Sequence, residues 1–329
     1  MSVWGRQVKL LSFTLSEKNV RIHKLGFIAL VTFAWCSGSA LAQDQGRSAD
    51  EVAKDLSNPA GSLASLFTSL EYTQYKGDLE DAGSQEGWTF TFQPVLPWPV
   101  GDKGRNIILR PLIPVPLNQP VYHSEQSPAD RVHVSAGGLT TFVKPGPGEF
   151  DTANINLGDI GFDLVLAGTE MKDKHNGVLW GVGMAGTLPT ATSKDLANKQ
   201  WRLGPEVFGG IVRAWGSMGV VLNHQWRVGG SNDQAHSVTG GQYFYAVGLG
   251  NGWQLASGPT FSYDWKAKSR DALTLPLGAG VAKTTKFGST PVKFQAQVFY
   301  YVAQPDTFGP DWMLKFTVTP VIQNPFVRK

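Results

Sequence analysis

The sequence predicts an all-β protein, a single closed antiparallel transmembrane β-barrel of about 12 strands with a short N-terminal helix. Three observations predict it. Long segments alternate apolar residues with small or polar ones, the connections between them alternate in length, and after an apolar leader no run approaches the ~18 residues of a membrane helix.

The leader comes first. Lys18, Arg21, His23 and Lys24 precede an apolar run from Leu25 to Cys36, and Ser37-Gly38-Ser39-Ala40-Leu41-Ala42 ends in A-x-A. Residues 1–42 therefore read as a signal peptide cleaved near Ala42, its apolar run being too short for the ~20 residues that span a bilayer. Cys36, the one Cys of the chain, lies inside it. The mature chain then has no disulfide framework and no cluster of thiolate metal ligands.

Residues 43–62 form a periplasmic segment. Ser48-Ala49-Asp50-Glu51 fits a capping box, and Asn58-Pro59 ends the helix by about Leu56. Two placements suit this helix, a plug in the lumen or a loose periplasmic tail.

The barrel occupies residues 63–323, followed by a tail, 324–329. From Trp253, one parity reads Trp253, Leu255, Ser257, Pro259, Phe261, Tyr263, Trp265, and the other Gln254, Ala256, Gly258, Thr260, Ser262, Asp264, Lys266. The same division recurs in Met218, Val220, Leu222 and Trp226 against Asn223, Gln225 and Arg227, and again along 292–302 and 312–319. Such segments exceed the usual ~5 to 6 residues of a soluble strand and suit the ~9 to 11 that a bilayer demands. Twelve residues at ~3.3 Å rise and ~40° tilt set Trp253 and Trp265 about 30 Å apart along the membrane normal. Trp226, Trp253, Tyr263, Trp265, Tyr300 and Trp312 are the candidates for two membrane girdles.

Twelve strand centres fall near Leu70, Gln93, Arg110, Phe162, Val182, Ile211, Leu222, Tyr245, Ser257, Leu277, Gln297 and Phe316. Short connections at Val100–Asp102, Met171–Asn176, Trp215–Ser217, Gly250–Gly252 and Phe287–Pro291 face the periplasm on this reading. Longer ones, at Lys76–Glu86, Asn118–Ile155, Thr190–Trp201, Gly229–Ser237, Lys266–Asp271 and Gln304–Pro310, face outward. Pro94, Pro111, Pro114, Pro259, Pro276 and Pro320 interrupt strand-like runs and are expected at bulges or strand ends, because each removes a ladder donor.

The inward parity collects Arg110, Asp159, Asp163, Glu206, Asn223, Gln225, Arg227, Asp264, Lys293, Gln295 and Lys315 as lumen candidates. Its acids and bases balance, so the interior is mixed rather than of one sign, which argues against simple ion selectivity. Such a lining suits either a polar conduit for a solute or a salt-bridged filling that braces a narrow barrel.

Several stretches carry a resemblance: Asn58-Pro59, Gln93-Pro94-Val95-Leu96-Pro97, Arg110-Pro111-Leu112-Ile113-Pro114-Val115, Leu157-Gly158-Asp159-Ile160, Trp180-Gly181-Val182-Gly183, Leu188-Pro189-Thr190, Leu222-Asn223-His224-Gln225-Trp226 and Gly309-Pro310-Asp311-Trp312. In their order and spacing, from about Ala49 to Gln323, the chain resembles the bacterial outer-membrane family named for the meta-pathway of phenol degradation, whose members are often mislabelled neuromedin U. The resemblance implies a barrel of about twelve strands in the outer membrane of a Gram-negative bacterium and a transport role. Its name suggests a small, hydrophobic or aromatic solute. The connection from Asn118 to Ile155 matches least.

Other chemistry is weaker. Gly181 to Gly186 fits G-x-G-x-x-G, but a dinucleotide site needs a helix to open there, and Pro189 opposes one. His133-Val134-Ser135 has the spacing of an outer-membrane phospholipase's His-x-Ser, without an evident orienting acid or oxyanion donor. The six His are scattered, so no metal or cofactor is expected. A net charge of +3 without a basic run excludes nucleic acid. The expected partners are the lipid bilayer and a small solute. The reading from another functional class is a closed barrel whose 118–155 connection binds something outside the cell.

Overall fold

A computed structural model describes residues 47–101, 103–124, 131–134, 140–141, 147–173 and 175–324; the leader, Cys36 and residues 325–329 lie outside these. Helix α1 (Ala49–Leu56) precedes β1 (Ser65–Lys76), β2 (Glu86–Val100) and β3 (Arg105–Ser124). Three short pieces follow, β4 (Arg131–Val134), β5 (Thr140–Thr141) and β6 (Gly148–Asn154), and then β7 (Ile160–Met171), β8 (Gly177–Leu188), β9 (Gln200–Arg213), β10 (Gly216–Gly230) and β11 (Ser237–Gly250). Next come β12 (Trp253–Ser257), β13 (Thr260–Asp264), a helical turn α2 (Ser269–Ala272), β14 (Leu273–Phe287), β15 (Thr290–Ala303) and β16 (Gly309–Pro320).

Every neighbour pairing is antiparallel. β1 pairs with β2 on one side and β16 on the other, with Glu71 opposite Lys315, so the sheet closes on itself. β12 and β13 share one strand position between β11 and β14, which makes twelve positions around the barrel. Each of the twelve centres expected from the sequence falls on one of these strands. The start of the first strand and the end of the last meet at one rim, where Ser65 bridges Val321 and Asn324 Nδ2 donates to the Pro97 carbonyl at 2.5 Å. That rim carries the short turns.

Alternation decides which face is which. Gln254 is 4% exposed while its neighbour Trp253 is 46% exposed, and on β10 Met218, Val220, Leu222 and Trp226 are exposed while Ser217 and Val221 are buried. The outer face is therefore a continuous apolar wall. At the rim of longer connections it carries Trp226, Tyr263, Trp265, Tyr300 and Trp312, the last packed with Tyr72 and Trp88; at the short-turn rim it carries Trp215, Trp253, Phe287 and Phe294. No helix of the described residues is long and apolar enough to cross a membrane.

The prolines sit where ladder bonds are already absent. The β2–β3 ladder pairs Phe92 with Ile113 and resumes at Leu96 with Leu109, leaving Pro94 and Pro111 opposite each other in the gap. Pro114 lies past the last β3–β7 pair, Leu112 with Gly161. Pro259 falls between β12 and β13, Pro276 at a bulge and Pro320 at a strand end. Between β14 and β12–β13 no pairing joins Val281 to Thr274, and there the Tyr243 hydroxyl donates to the Pro276 carbonyl at 2.8 Å and Ser257 Oγ to Gly278 at 2.9 Å. Side-chain hydroxyls thus satisfy carbonyls that a lipid environment could not.

Two expectations need correction. The connection 118–155 is not wholly a loop: β3 runs on past the barrel wall to Ser124, and β6 returns beside it, with Asn118 opposite Asn154 and Ser124 opposite Gly148. Packing of Tyr122 and Phe150 with Phe308, Tyr75 and Leu79 holds this extension down. The inward parity is also not polar throughout. In the short-turn half, Ile108, Val165, Ala167, Leu179, Phe208, Val212 and Val221 form an apolar cluster inside the barrel with Ala60.

That cluster exists because the N-terminal segment packs on it. Of the two placements open to α1, the structure shows the plug. Ser48 Oγ accepts the Glu51 N–H at 3.2 Å and Glu51 accepts the Ser48 N–H at 2.8 Å, completing the capping box. Val52 and Ala53 are buried. Asp50 accepts the N–H of Gly252 at 2.6 Å in the β11–β12 turn, where a positive φ and the nearby Thr284 carbonyl leave no room for a Cβ. Gln254 Nε2 donates to the Ala53 carbonyl, Ser217 Oγ to the Ser57 carbonyl, Asn58 Nδ2 to Thr169 Oγ1 and Asn106 Nδ2 to the Ala60 carbonyl.

The Ser48 bonds, backbone first and side chain second, hold the Glu51 carboxyl below its ordinary range. A lowered folded-state value means that the cap is complete above the ordinary carboxylate pKa and is lost as pH falls through the lowered one. Protection of the α1 amides, taken relative to their intrinsic exchange rates, should accordingly fall on acidification below the carboxylate range, and should be lower at neutral pH in Ser48→Ala. Equal protection in wild type and Ser48→Ala would refute the cap's role.

Candidate functional site

Between the plug and the opposite rim lies a cavity of about 490 Å³. Asp55, Leu56 and Ser57 border it at one end. Leu196 and Asn198 border it at the other, because the β8–β9 connection turns inward over the lumen. That inward turn is fixed by Asp159, whose carboxylate accepts Ala191 N–H at 2.9 Å, Asn198 N–H at 3.3 Å and Asn198 Nδ2 at 3.1 Å.

Nine of the eleven lumen candidates border the cavity: Arg110, Asp159, Asp163, Glu206, Asn223, Gln225, Lys293, Gln295 and Lys315. Arg227 and Asp264 do not. Both stand at the loop-end rim, where Arg227 pairs with Asp233 and donates to the Gly230 carbonyl, and Asp264 accepts the Lys266 N–H.

The charges in the cavity are organised by register. Arg110 stands opposite Asp163 on β7, and its Nε donates to Asp163 Oδ1 at 2.7 Å. Its Nη2 reaches Glu206 Oε1 on β9 at 3.4 Å, across the intervening β8. The reach is possible because β8 presents Gly183 opposite Glu206 and Ala185 opposite Asp163, two small side chains under the guanidinium. Asn223 Nδ2 donates to the other Glu206 oxygen at 3.4 Å. A second pair, Lys315 with Glu71 at 2.8 Å, sits across the closing β1–β16 seam, with Ser69 Oγ on the same carboxylate. Thr187 Oγ1 donates to Gln225 Oε1 at 2.9 Å, and Gln295 Nε2 to the Ala256 carbonyl at 3.4 Å. Lys293 has no acid beside it among the described residues and donates to Ser57 Oγ of the plug at 2.8 Å.

Three charged residues of the cavity escaped the sequence reading: Asp55 of the plug helix, Arg202 and Glu71. Arg202 shares the parity of Glu206 on β9, alternating with Trp201, Leu203 and Val207, so the signal was present. Glu71 was masked by the mixed faces of β1, where Phe67 lines the cavity while Tyr72 faces out.

The remaining motifs resolve simply. Gly181, Gly183 and Gly186 lie on the single strand β8, with no helix opening after them. Gly186 is outward, under Phe162, and only Gly181 and Gly183 face the lumen. His133 stands on β4, and Ser135 lies outside the described residues. His224 shares the outer face with Trp226, its ring nitrogens 2.8 Å from Thr239 Oγ1 and 3.2 Å from Ser237 Oγ. Among the described residues no group of His, Cys, Asp or Glu is placed to hold a metal.

An apolar outer wall belted by aromatics, a closed ladder and a plugged, charged lumen define a β-barrel of the outer-membrane type. The comparison with solved structures agrees with that class. The chain is similar to the COG4313 outer membrane channel from Pseudomonas putida F1, with a TM-score of 0.54 and 13% identity over 79% of this chain and 96% of that one. At that identity the likeness is one of fold. Outer membrane phospholipase A from Escherichia coli (TM-score 0.37, 11% identity, 78% and 90% of the two chains) and a FadL homologue from Pseudomonas aeruginosa (TM-score 0.34, 10%, 87% and 96%) are more distant, and their likeness carries no weight for function. No family model and no curated protein sequence matches the chain.

Proposed function

We propose that this protein is a Gram-negative outer-membrane barrel that passes a small solute, hydrophobic or aromatic in its main part, through the lumen, and that it does no covalent chemistry. The observation that carries the reading is the cavity itself. A barrel braced only for rigidity would be filled by its own side chains; this one leaves a lumen cavity of about 490 Å³ and floors it with a segment held by hydrogen bonds. Nine of the polar and charged candidates of the inner face then act as the cavity's lining, with Arg227 and Asp264 at its loop-end mouth, and the six aromatic candidates of the outer face act as membrane girdles. The short turns and both chain ends face the periplasm, after removal of the leader near Ala42. The solute class follows from the resemblance to the phenol meta-pathway family.

The test is reconstitution of the mature protein in planar bilayers and in vesicles loaded with small aromatic solutes. Discrete conductance steps and solute efflux are expected. A barrel that stays shut in both assays would overturn the reading and favour the surface-interaction alternative, for which the β3–β6 extension is the structural basis.

A further inference from the structure

The lumen's cations are unequally matched. Arg110 is held by Asp163 and Glu206, and Lys315 by Glu71. Arg202 has no acid within ion-pair distance among the described residues. It points inward from β9 near the loop end, borders the cavity and is only 4% exposed. Among the described residues its single hydrogen bond uses Nε, which donates to Gln200 Oε1 at 3.3 Å, and its two terminal amino groups have no acceptor there. The acids that attract it from a distance, Asp159 and Asp264, are engaged by backbone N–H groups and Asn198. Its neighbour in register, Arg227, is already taken by Asp233. His236 lies within its electrostatic reach, and the buried Nε2 of that ring also lacks a partner.

A buried guanidinium bound through one of its nitrogens alone is costly, and the fork of its free terminal amino groups matches a carboxylate in geometry and charge. Apolar side chains that suit the body of such a solute, Leu196, Phe244 and Val221, line the same cavity. Lys293, the other cation without an acid, waits at the plug end. We propose that Arg202 is a carboxylate-binding subsite, and that the solute is a monocarboxylate with an apolar body. This rests on the reading of the lumen as a solute conduit.

The experiment is calorimetric titration of the mature protein in detergent with 4-phenylbutanoate and with its neutral amide, 4-phenylbutanamide. Wild type should bind the acid about tenfold more tightly than the amide, as a charge-assisted hydrogen bond allows. Arg202→Gln should abolish the preference and leave amide affinity unchanged, while Arg270→Gln, at a surface ion pair with Asp78, should keep it. If Arg202→Gln fails to fold, Arg202→Lys keeps the charge without the fork and should lose most of the preference. Equal binding of acid and amide by wild type, or a preference that survives these Arg202 substitutions, would overturn the proposal. Vesicle efflux separates the two readings. Arg202-dependent binding without efflux keeps the subsite and removes the conduit; efflux of both probes with no preference in binding keeps the conduit and removes the subsite.

Discussion

Deleting residues 47–61 is expected to raise single-channel conductance several-fold while the barrel still assembles. The plug occupies the short-turn half of the lumen, where its Ala60 packs on Ile108, Val165 and Leu179 and its backbone accepts from Ser217, Gln254 and Asn106. None of these bonds belongs to a strand ladder. Barrel closure rests on the β1–β16 pairing from Thr68 opposite Val318 to Lys76 opposite Gly309, downstream of the deletion. Removing the segment exposes an apolar floor to water at some cost in stability, yet it also removes the only described chain across that half. Conductance unchanged by the deletion would mean that the narrow point lies elsewhere, at the inward β8–β9 connection.

The largest effect on stability is expected from Arg110→Met. The guanidinium is the sole described cation paired with Asp163 and Glu206, whose side chains are 17% and 3% exposed. Removing one partner of a buried ionic cluster costs about 3–5 kcal/mol, because the remaining charges are left without compensation. The partial exposure of Arg110 and Asp163 puts the expected loss at the lower end of that range. The measurement is the denaturant midpoint of the folded barrel, followed by the shift between compact and extended forms on unheated gels. Adding Asp163→Asn and Glu206→Gln to Arg110→Met should restore most of the loss, since the triple variant buries no lone charge. A single variant that unfolds at the wild-type midpoint would show that the cluster is solvated rather than structural.

Period-two alternation made the barrel legible because each outer face looks onto one medium for a whole strand: Met218, Val220, Leu222 and Trp226 have no other reason to share a parity. The prolines were legible for the same reason, as absent donors that must fall where no ladder bond is made. Three things were not. The plug's seat could not be read, because α1 finds its partners some two hundred residues away, at Gly252 and Gln254, and a capping box specifies only where a helix starts. The apolar inner floor looked like ordinary strand residues, with Val165 and Leu179 matching outward neighbours Leu164 and Val178 in chemistry. Pairing across strands, such as Arg110 to Glu206 over Gly183, depends on register, which alternation leaves undetermined. Arg202 was readable by parity, although its lack of an acid partner shows only in three dimensions.

The direct join between the plug and β1 also constrains assembly. The first strand pairs with the last, and the plug's partners are spread from Asn106 to Lys293, so these long closures cost entropy before they yield contacts. The N-terminal segment therefore seats late, after most of the wall around it has formed, and a nascent barrel must keep its own stopper outside until nearly the final step.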